Sequence, residues 1–439
     1  MRKAYISTLG CKVNQYESAS FETGFEEKGL AITHDVGDAD LIVINTCAVT
    51  SKASAQSRQE IRKAARLNQR AEIVITGCHA HLLKDDLQTL TGIDANRIVV
   101  VANDRKDSLV ANLIEKPASV SGFASNQISR SQDVCHLPVK KFGNRTRAYL
   151  RVQDGCDSYC SYCIVPYARG HSRSLHKAAV LRQAKTYAEA GHREIVITGI
   201  HVGNYGNDLD ETTDIATLIE TLCRETPSVR YRLSSIEPLE ISEKLLTLMQ
   251  ELGNFMPHLH IPLQSGDDEI LARMNRRYTR KQFISVLKSC NTMVPHAAIG
   301  IDVMVGFPGE SQKHYSNTRN LLEQINCTYL HVFPFSKRPG TQASEMRNQV
   351  NSQEKQQRVL ELRSLGKQKQ SLFCRSHIGT AREVLVEKER TKGGQLKGFT
   401  DNYIPVRLDG EDRLMNSVIT ARLQQFINGV VTAHIVTKS

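Results

Sequence analysis

A chain of 439 residues is too long for one compact core and divides into two or three domains. With 40% hydrophobic and 23% charged residues, and no uncharged apolar run of about 18 residues, it reads as globular, without a membrane span or signal peptide, and is expected in the cytoplasm. A formal net charge of +11 favours a polyanionic partner, and eleven cysteines, an odd number, point to metal ligands or buried thiols and away from a disulfide framework.

Residues 3–115 alternate short β-rich runs with helical patterns. Lys3–Thr8, Leu41–Asn45, Glu72–Thr76 and Arg97–Val101 are apolar and β-branched, and Gln56–Leu67 has helical spacing, so a doubly wound parallel sheet is expected. Cys11, Cys47 and Cys78 each follow one of these strands. In an open parallel sheet the strand C-terminal ends share one edge, where ligands bind, so three thiolates distant in sequence are expected to converge on one rim as a second metal site, with buried core cysteines as the alternative for any one of them. Residues 116–147 are rich in Ser, Asn, Gln and basic side chains without periodicity and read as a linker; Cys135 within it has no assigned role.

A second βα series follows, with strands near Tyr149–Val152, Glu194–Thr198, Tyr231–Ser235, His258–Leu263, Ile299–Val305 and Tyr329–Phe335. Six such units suggest a partial (β/α)6 barrel with its chemistry in the loops after the strands. Just after the first strand, Cys156, Cys160 and Cys163 are spaced C-x3-C-x2-C, with Tyr162 before the last. Three thiolates leave one position of a [4Fe–4S] cube open for a small molecule, whereas structural zinc wants a fourth protein ligand, for which His171 is the available imidazole. Cys223, Cys290 and Cys327 lie in apolar contexts and read as buried thiols. Gly199, Ser235, Glu237 and Gln264 put small or polar residues at the strand ends, where a nucleoside ligand with a carboxylate and an ammonium group needs close approach and acceptors.

Residues 351–376 form a long charged helix broken at His377-Ile378-Gly379. Beyond it, Glu383–Glu387, Tyr403–Arg407 and Gly429–Ile435 suggest a small β-barrel whose first hairpin carries Lys388, Arg390, Lys392 and Lys397.

The segments Thr8-Leu-Gly-Cys11-Lys-Val-Asn14, Asn45-Thr-Cys47-Ala-Val-Thr, Thr76-Gly-Cys78, Asp154-Gly-Cys-Asp-Ser-Tyr-Cys-Ser-Tyr-Cys-Ile-Val-Pro166-Tyr-Ala-Arg169 and Leu233-Ser-Ser-Ile-Glu237-Pro together resemble the radical S-adenosylmethionine (SAM) methylthiotransferases. The likeness spans essentially the whole chain. It implies a methylthiotransferase domain over 1–115, a linker over 116–147, a radical SAM domain over 148–376 and an RNA-binding TRAM domain over 377–439. It implies two [4Fe–4S] clusters, one on Cys156, Cys160 and Cys163 and an auxiliary one on Cys11, Cys47 and Cys78, with SAM near Tyr162, Gly199, Ser235, Glu237 and Gln264.

Lys12-Val13-Asn14 and Ala48-Val49-Thr50 resemble the branch that methylthiolates C2 of N6-threonylcarbamoyladenosine (t6A) at position 37 of tRNA with two SAM molecules. The implied partners are a tRNA anticodon stem-loop, an electron donor such as flavodoxin or ferredoxin, and a sulfur source. RNA contacts are expected at Lys388, Arg390 and Lys397, and a cation for the t6A carboxylate at Arg169, Arg173 or Arg338, with a structural salt bridge as the weightier alternative for any one of the three arginines. His171 stands where relatives often carry Arg. Methylthiolation of another tRNA base or of a ribosomal protein, and a non-catalytic iron–sulfur RNA-binding module, are the alternatives.

Overall fold

The computed structural model describes residues 1–82, 97–115, 134–143, 145–210 and 212–436. Strands β1 (Lys3–Thr8), β2 (Ala31–Ile32), β3 (Leu41–Thr46), β4 (Glu72–Gly77) and β5 (Ile98–Val101) pair in parallel in the order β2-β1-β3-β4-β5. β3 reads Leu-Ile-Val-Ile-Asn-Thr and is buried at every position, as a central strand covered on both faces must be. Val43 and Val74 join the core that includes Tyr16 and Phe21 of helix Lys12–Glu27, whereas Ile42, Ile44, Ile73 and Ile75 pack with Ile61 and Ala64 of helix Ser51–Leu67. The strand order reverses between β1 and β3, which opens a crevice at their C-terminal ends.

The segment before the second series is not a free tether over its described part. Leu137, Val139 and Phe142 are buried in the main core, and Tyr16 Oη donates to the Leu137 carbonyl at 2.7 Å. The rest of the expected linker, 116–133, lies outside the described residues.

The central strands are β6 (Arg147–Arg151), β7 (Gln153–Asp154), β8 (Arg173–Ser174), β9 (Glu194–Thr198), β10 (Arg230–Leu233), β11 (His258–Gln264), β12 (Ala298–Val305) and β13 (Tyr329–Pro334). They form two three-stranded parallel sheets, β10-β9-β6 and β11-β12-β13, joined by bridges at Tyr231–Phe255 and Ser235–His260. The antiparallel pair β7–β8 clips the ends of the cysteine loop together.

Helix Ser352–Ser376 buries Val359 and Leu362 and ends at His377. Beyond it, β14 (Ala381–Arg390), β15 (Leu396–Thr400), β16 (Pro405–Leu408), β17 (Val418–Ile427) and β18 (Val430–Ile435) close into a barrel around Val384, Val386, Leu396, Val406 and Leu423. This barrel docks at the N-terminal ends of the central strands: Arg147 bonds Glu387 at 2.5 Å, and Arg232 lies 4.6 Å from the ring centre of Tyr403. The C-terminal strand ends remain open for the cysteine loops.

Candidate functional site

Cys11 caps helix Lys12–Glu27, Cys47 follows β3, and Cys78 opens a short helix after β4, so all three sit on the C-terminal rim of the first sheet. Gly10 has φ +94°, and a Cβ there would stand 2.5 Å from Cys47 Sγ, so the Cys11 loop approaches Cys47 only without a side chain. Asn14 ties the loops together by donating to the carbonyls of Leu9 (2.7 Å) and Thr46 (3.0 Å). Burial pushes the Cys11 thiol up and the Cys47 thiol up to about 11, and the neighbouring thiols add to both shifts. Thiols that ionise so reluctantly side by side suit a cationic centre that takes the place of their protons.

The second triplet lies on the loop after β7. Gly155 has φ +74°, and a Cβ there would meet the His171 carbonyl oxygen at 1.8 Å. The loop is pinned by the turn around Met274: Ser161 N–H donates to Met274 O at 3.0 Å, and Asn275 Nδ2 donates to the carbonyls of Ser158 and Tyr159. Burial raises Cys156, but hydrogen bonds from His201 and Ser158 outweigh it and bring that thiol below its ordinary value. His201 stands 3.6 Å from Cys156 Sγ through Nδ1 and 2.6 Å from Glu240 through Nε2. Burial lowers this imidazole, yet both partners hold it up to about 10. Cys163 is pushed up to about 12 by burial.

The donor sets fit clusters better than single ions. Among the described residues neither triplet gathers its three sulfurs within 4.8 Å of one another, as one ion would require, whereas a cube spreads its thiolates over separate irons. His171, the imidazole for a zinc alternative, is exposed and directs Nδ1 to Asp157 at 2.7 Å.

The expected SAM-binding residues surround the second triplet unevenly. Gly199 follows β9, and a Cβ there would stand 3.0 Å from Gln153 Oε1. Gln264 is buried at φ +62° beside a bulge in β11, and its Oε1 has no partner. Glu237 pairs with Arg276, whose Nη1 lies 3.3 Å from Cys160 Sγ. Tyr162 packs against the apolar group of Ile270, Met274 and Phe307, and Ser235 is exposed. Sequence reasoning missed Arg276, His201 and Glu240, since no spacing marks them.

The triplets belong to one assembly. Cys78 packs with Ala48, Ile164 and Ala168, so the auxiliary rim touches the helix that follows Cys163. Arg169 Nη1 bonds Glu17 at 3.0 Å and Asp154 at 2.9 Å, and Nη2 bonds Asn14 Oδ1 at 2.7 Å. Lys106 completes Glu17 at 2.6 Å. Of the candidate readers of the substrate carboxylate, Arg169 and Arg173 take the structural alternative: Arg169 is buried on two acids, and Arg173 is buried and donates to the Arg169 carbonyl at 2.9 Å. Arg338 is buried near Cys47, with Nη1 3.4 Å from Ser54 Oγ.

A cavity of about 990 Å³ runs between the first domain, the central strands and the C-terminal barrel. Lys388 and Lys397 reach it, the latter paired with Glu389 at 3.0 Å. Arg390 turns elsewhere, donating to Asp412 at 2.7 Å and to the carbonyl of Gly410 at 2.8 Å, so this third expected RNA contact holds the barrel's own hairpin.

Residues 3–98 match a family described as Uncharacterized protein family UPF0004, and residues 150–322 match the Radical SAM superfamily. The Threonylcarbamoyladenosine tRNA methylthiotransferase MtaB of Bacillus subtilis is 36% identical over 428 residues, covering 96% of this chain and 94% of the relative. This chain belongs to the radical SAM methylthiotransferases, MtaB type. A tRNA-2-methylthio-N(6)-dimethylallyladenosine synthase of Bartonella quintana is 30% identical, covering 93% of this chain and 91% of its own. The solved radical SAM methyltransferase TsrM of Kitasatospora setae aligns at TM-score 0.58 and 13% identity over 78% of this chain and 74% of its own, a likeness of fold alone. As a member of the family the chain is a radical SAM tRNA methylthiotransferase, a class that works with SAM and [4Fe–4S] clusters.

Proposed function

We propose that this enzyme methylthiolates C2 of t6A at position 37 of tRNA, consuming two SAM molecules, one as radical source and one as methyl donor. In this reading Cys156, Cys160 and Cys163 hold the radical cluster and Cys11, Cys47 and Cys78 the auxiliary one. In this reading the domains are a methylthiotransferase domain over 1–115, a connection over 116–147, a radical SAM partial barrel over 148–376 and a TRAM barrel over 377–439. When bound, the clusters and SAM supply one-electron chemistry that can take a hydrogen from a carbon no general base can deprotonate, and a hold for the sulfur to be transferred.

The chain's own residues position these groups. Arg276 links Glu237 to Cys160, so the carboxylate beside the expected SAM site is fixed relative to the cysteine loop. Gln264 Oε1, buried and unpartnered, is an acceptor for an ammonium or ribose hydroxyl of SAM. Asn14 and Gly10 hold the auxiliary loops in register. The observation that supports the reading is the joint made by Cys78 on Ile164 and Ala168 and by Arg169 on Asn14 and Glu17, which packs the loops of the two triplets against each other; in this reading a single flipped base meets both clusters. An electron donor such as flavodoxin or ferredoxin, a sulfur source and a cytoplasmic setting complete it.

Anticodon stem-loops bearing t6A, isopentenyladenosine or adenosine, incubated with reduced enzyme and SAM and then digested, test the substrate. Methylthio product is expected on t6A; product on isopentenyladenosine alone overturns the substrate and leaves the reaction class standing.

A further inference from the structure

The cavity between the first domain, the central strands and the C-terminal barrel holds a cation that no carboxylate of the described residues pairs. Lys12 follows Cys11 directly, is half-buried, and lines the 990 Å³ cavity. Among the described residues no carboxylate comes within 4.0 Å of its ammonium. Asp302, the acid that faces it, is already engaged: Oδ1 accepts from His260 Nε2 at 2.8 Å and lies 3.5 Å from His331 Nδ1. Three of the other cations on the same walls are matched: Lys397 bonds Glu389 at 3.0 Å, and two lie on the strands. Among the described residues Lys388 and Arg145 also have no carboxylate within 4.0 Å, but neither adjoins an auxiliary cysteine in the chain. Arg232 bonds Glu194 through Nε at 3.0 Å, and Arg147 bonds Glu194 at 2.6 Å and Glu387 at 2.5 Å. Aromatic rings on the same walls, Tyr329 and Tyr403 among them, make the space suitable for a nucleobase with an anionic arm.

We propose that Lys12 is the specificity-determining residue that pairs with the carboxylate of the threonylcarbamoyl arm. The inference rests on the substrate proposed above and assigns its recognition. In adenine, C6, which bears the arm, and C2, which receives the sulfur, flank the same ring nitrogen. The arm therefore begins beside the reacting carbon, and whatever reads it must adjoin the auxiliary cysteines. Lys12 is bonded to one of them and reaches into the cavity. The two imidazoles on Asp302 keep that carboxylate from closing on Lys12 in the absence of substrate.

The test is equilibrium binding of two stem-loops that differ only in charge at the arm, t6A and its methyl ester, to the cluster-loaded full-length enzyme. Their phosphates are identical, so the ratio of dissociation constants isolates the carboxylate. Wild type is expected to prefer the acid by about tenfold to a hundredfold, the range of a charge-assisted bond. Lys12→Gln removes that preference while its affinity for the ester stays at the wild-type level, and Lys12→Arg keeps most of the preference. A Lys12→Gln ratio equal to wild type, whether both affinities hold or weaken together, overturns the assignment with the substrate intact. A wild-type enzyme that acts on isopentenyladenosine and not on t6A overturns the substrate reading itself, and the assignment with it.

Discussion

Arg169 and Glu17 form an ion pair at 3.0 Å with both side chains buried, one from the helix after Cys163 and the other from the helix capped by Cys11. Asp154 and Lys106 extend it, and Arg169 also holds Asn14. Removing one member leaves charges in a dry joint. Arg169→Met is expected to lower unfolding stability by about 3–5 kcal/mol, the cost typical of stranding a buried partner. Chemical denaturation of wild type and variant measures it; a change within about 0.5 kcal/mol would mean the joint is solvated.

The same joint sets an acid limit. Burial alone would raise Glu17, but Arg169 and Lys106 overcome it and hold the carboxyl at about 2, against an ordinary 4.5. Because the folded value is the lower one, the unfolded chain takes up this proton first as pH falls. The stabilisation is complete above about 4.5 and lost as pH falls toward about 2. Denaturation midpoints between pH 6 and pH 3 should decline in wild type. In Glu17→Gln, already weaker at neutral pH, the decline should be shallower; equal slopes would assign it to other carboxylates.

Gly10→Ala isolates the auxiliary rim. The added Cβ falls 2.5 Å from Cys47 Sγ and must also adopt φ +94°, so the Cys11 loop has to retreat from Cys47. Anaerobic reconstitution should give about half the wild-type iron, since the loop of Cys156, Cys160 and Cys163 is untouched. Full iron in this variant would show that the loop can shift without losing its metal.

Much of this architecture was legible in the sequence because buried parallel strands are nearly pure apolar runs: Glu194–Thr198 is found where expected, and Leu41–Thr46 differs by one residue. Two barrel strands, Leu396–Thr400 and Val418–Ile427, were not anticipated, since Lys397, Arg422 and Gln424 interrupt the pattern on the outward face. The site shows the same divide. Cysteine spacing is local and readable, whereas the value of Arg276 lies in a contact with Cys160 116 residues away, and in the chain it reads as one more surface charge. Arg169 could not be ranked in the sequence for the converse reason: the acids that bury it, Glu17 and Asp154, are set by the fold and not by any neighbouring motif.

RNA binding separates the basic residues of the C-terminal barrel. Lys388 and Lys397 reach the cavity, whereas Arg390 is held by Asp412 and the Gly410 carbonyl. Changing both lysines to Ala should make the slope of log K against log salt shallower by about 1.4–1.8, two phosphate contacts' worth. Arg390→Ala should leave the slope unchanged and lower thermal stability. A shift of the slope by Arg390→Ala instead would mean that its guanidinium leaves Asp412 for phosphate.

The two cysteine triplets should fail in different ways. Cys47 is buried on the rim of the first sheet, and its neighbour Ala48 packs with Ile164 and Ala168 beyond the second triplet, so Cys47→Ala is expected to leave the Cys156–Cys163 loop and its anchors at Met274 and Asn275 intact. This variant should still cleave SAM to 5′-deoxyadenosine under a strong reductant and yield no methylthiolated base. Cys160→Ala removes the sulfur that Arg276 touches and, with it, one of three ligands on that loop, so both SAM cleavage and product should disappear. Chromatography of 5′-deoxyadenosine beside digested tRNA reads both outcomes in one sample. Full methylthiolation by Cys47→Ala would make the first triplet structural and remove the sulfur-holding role from the rim of the first sheet.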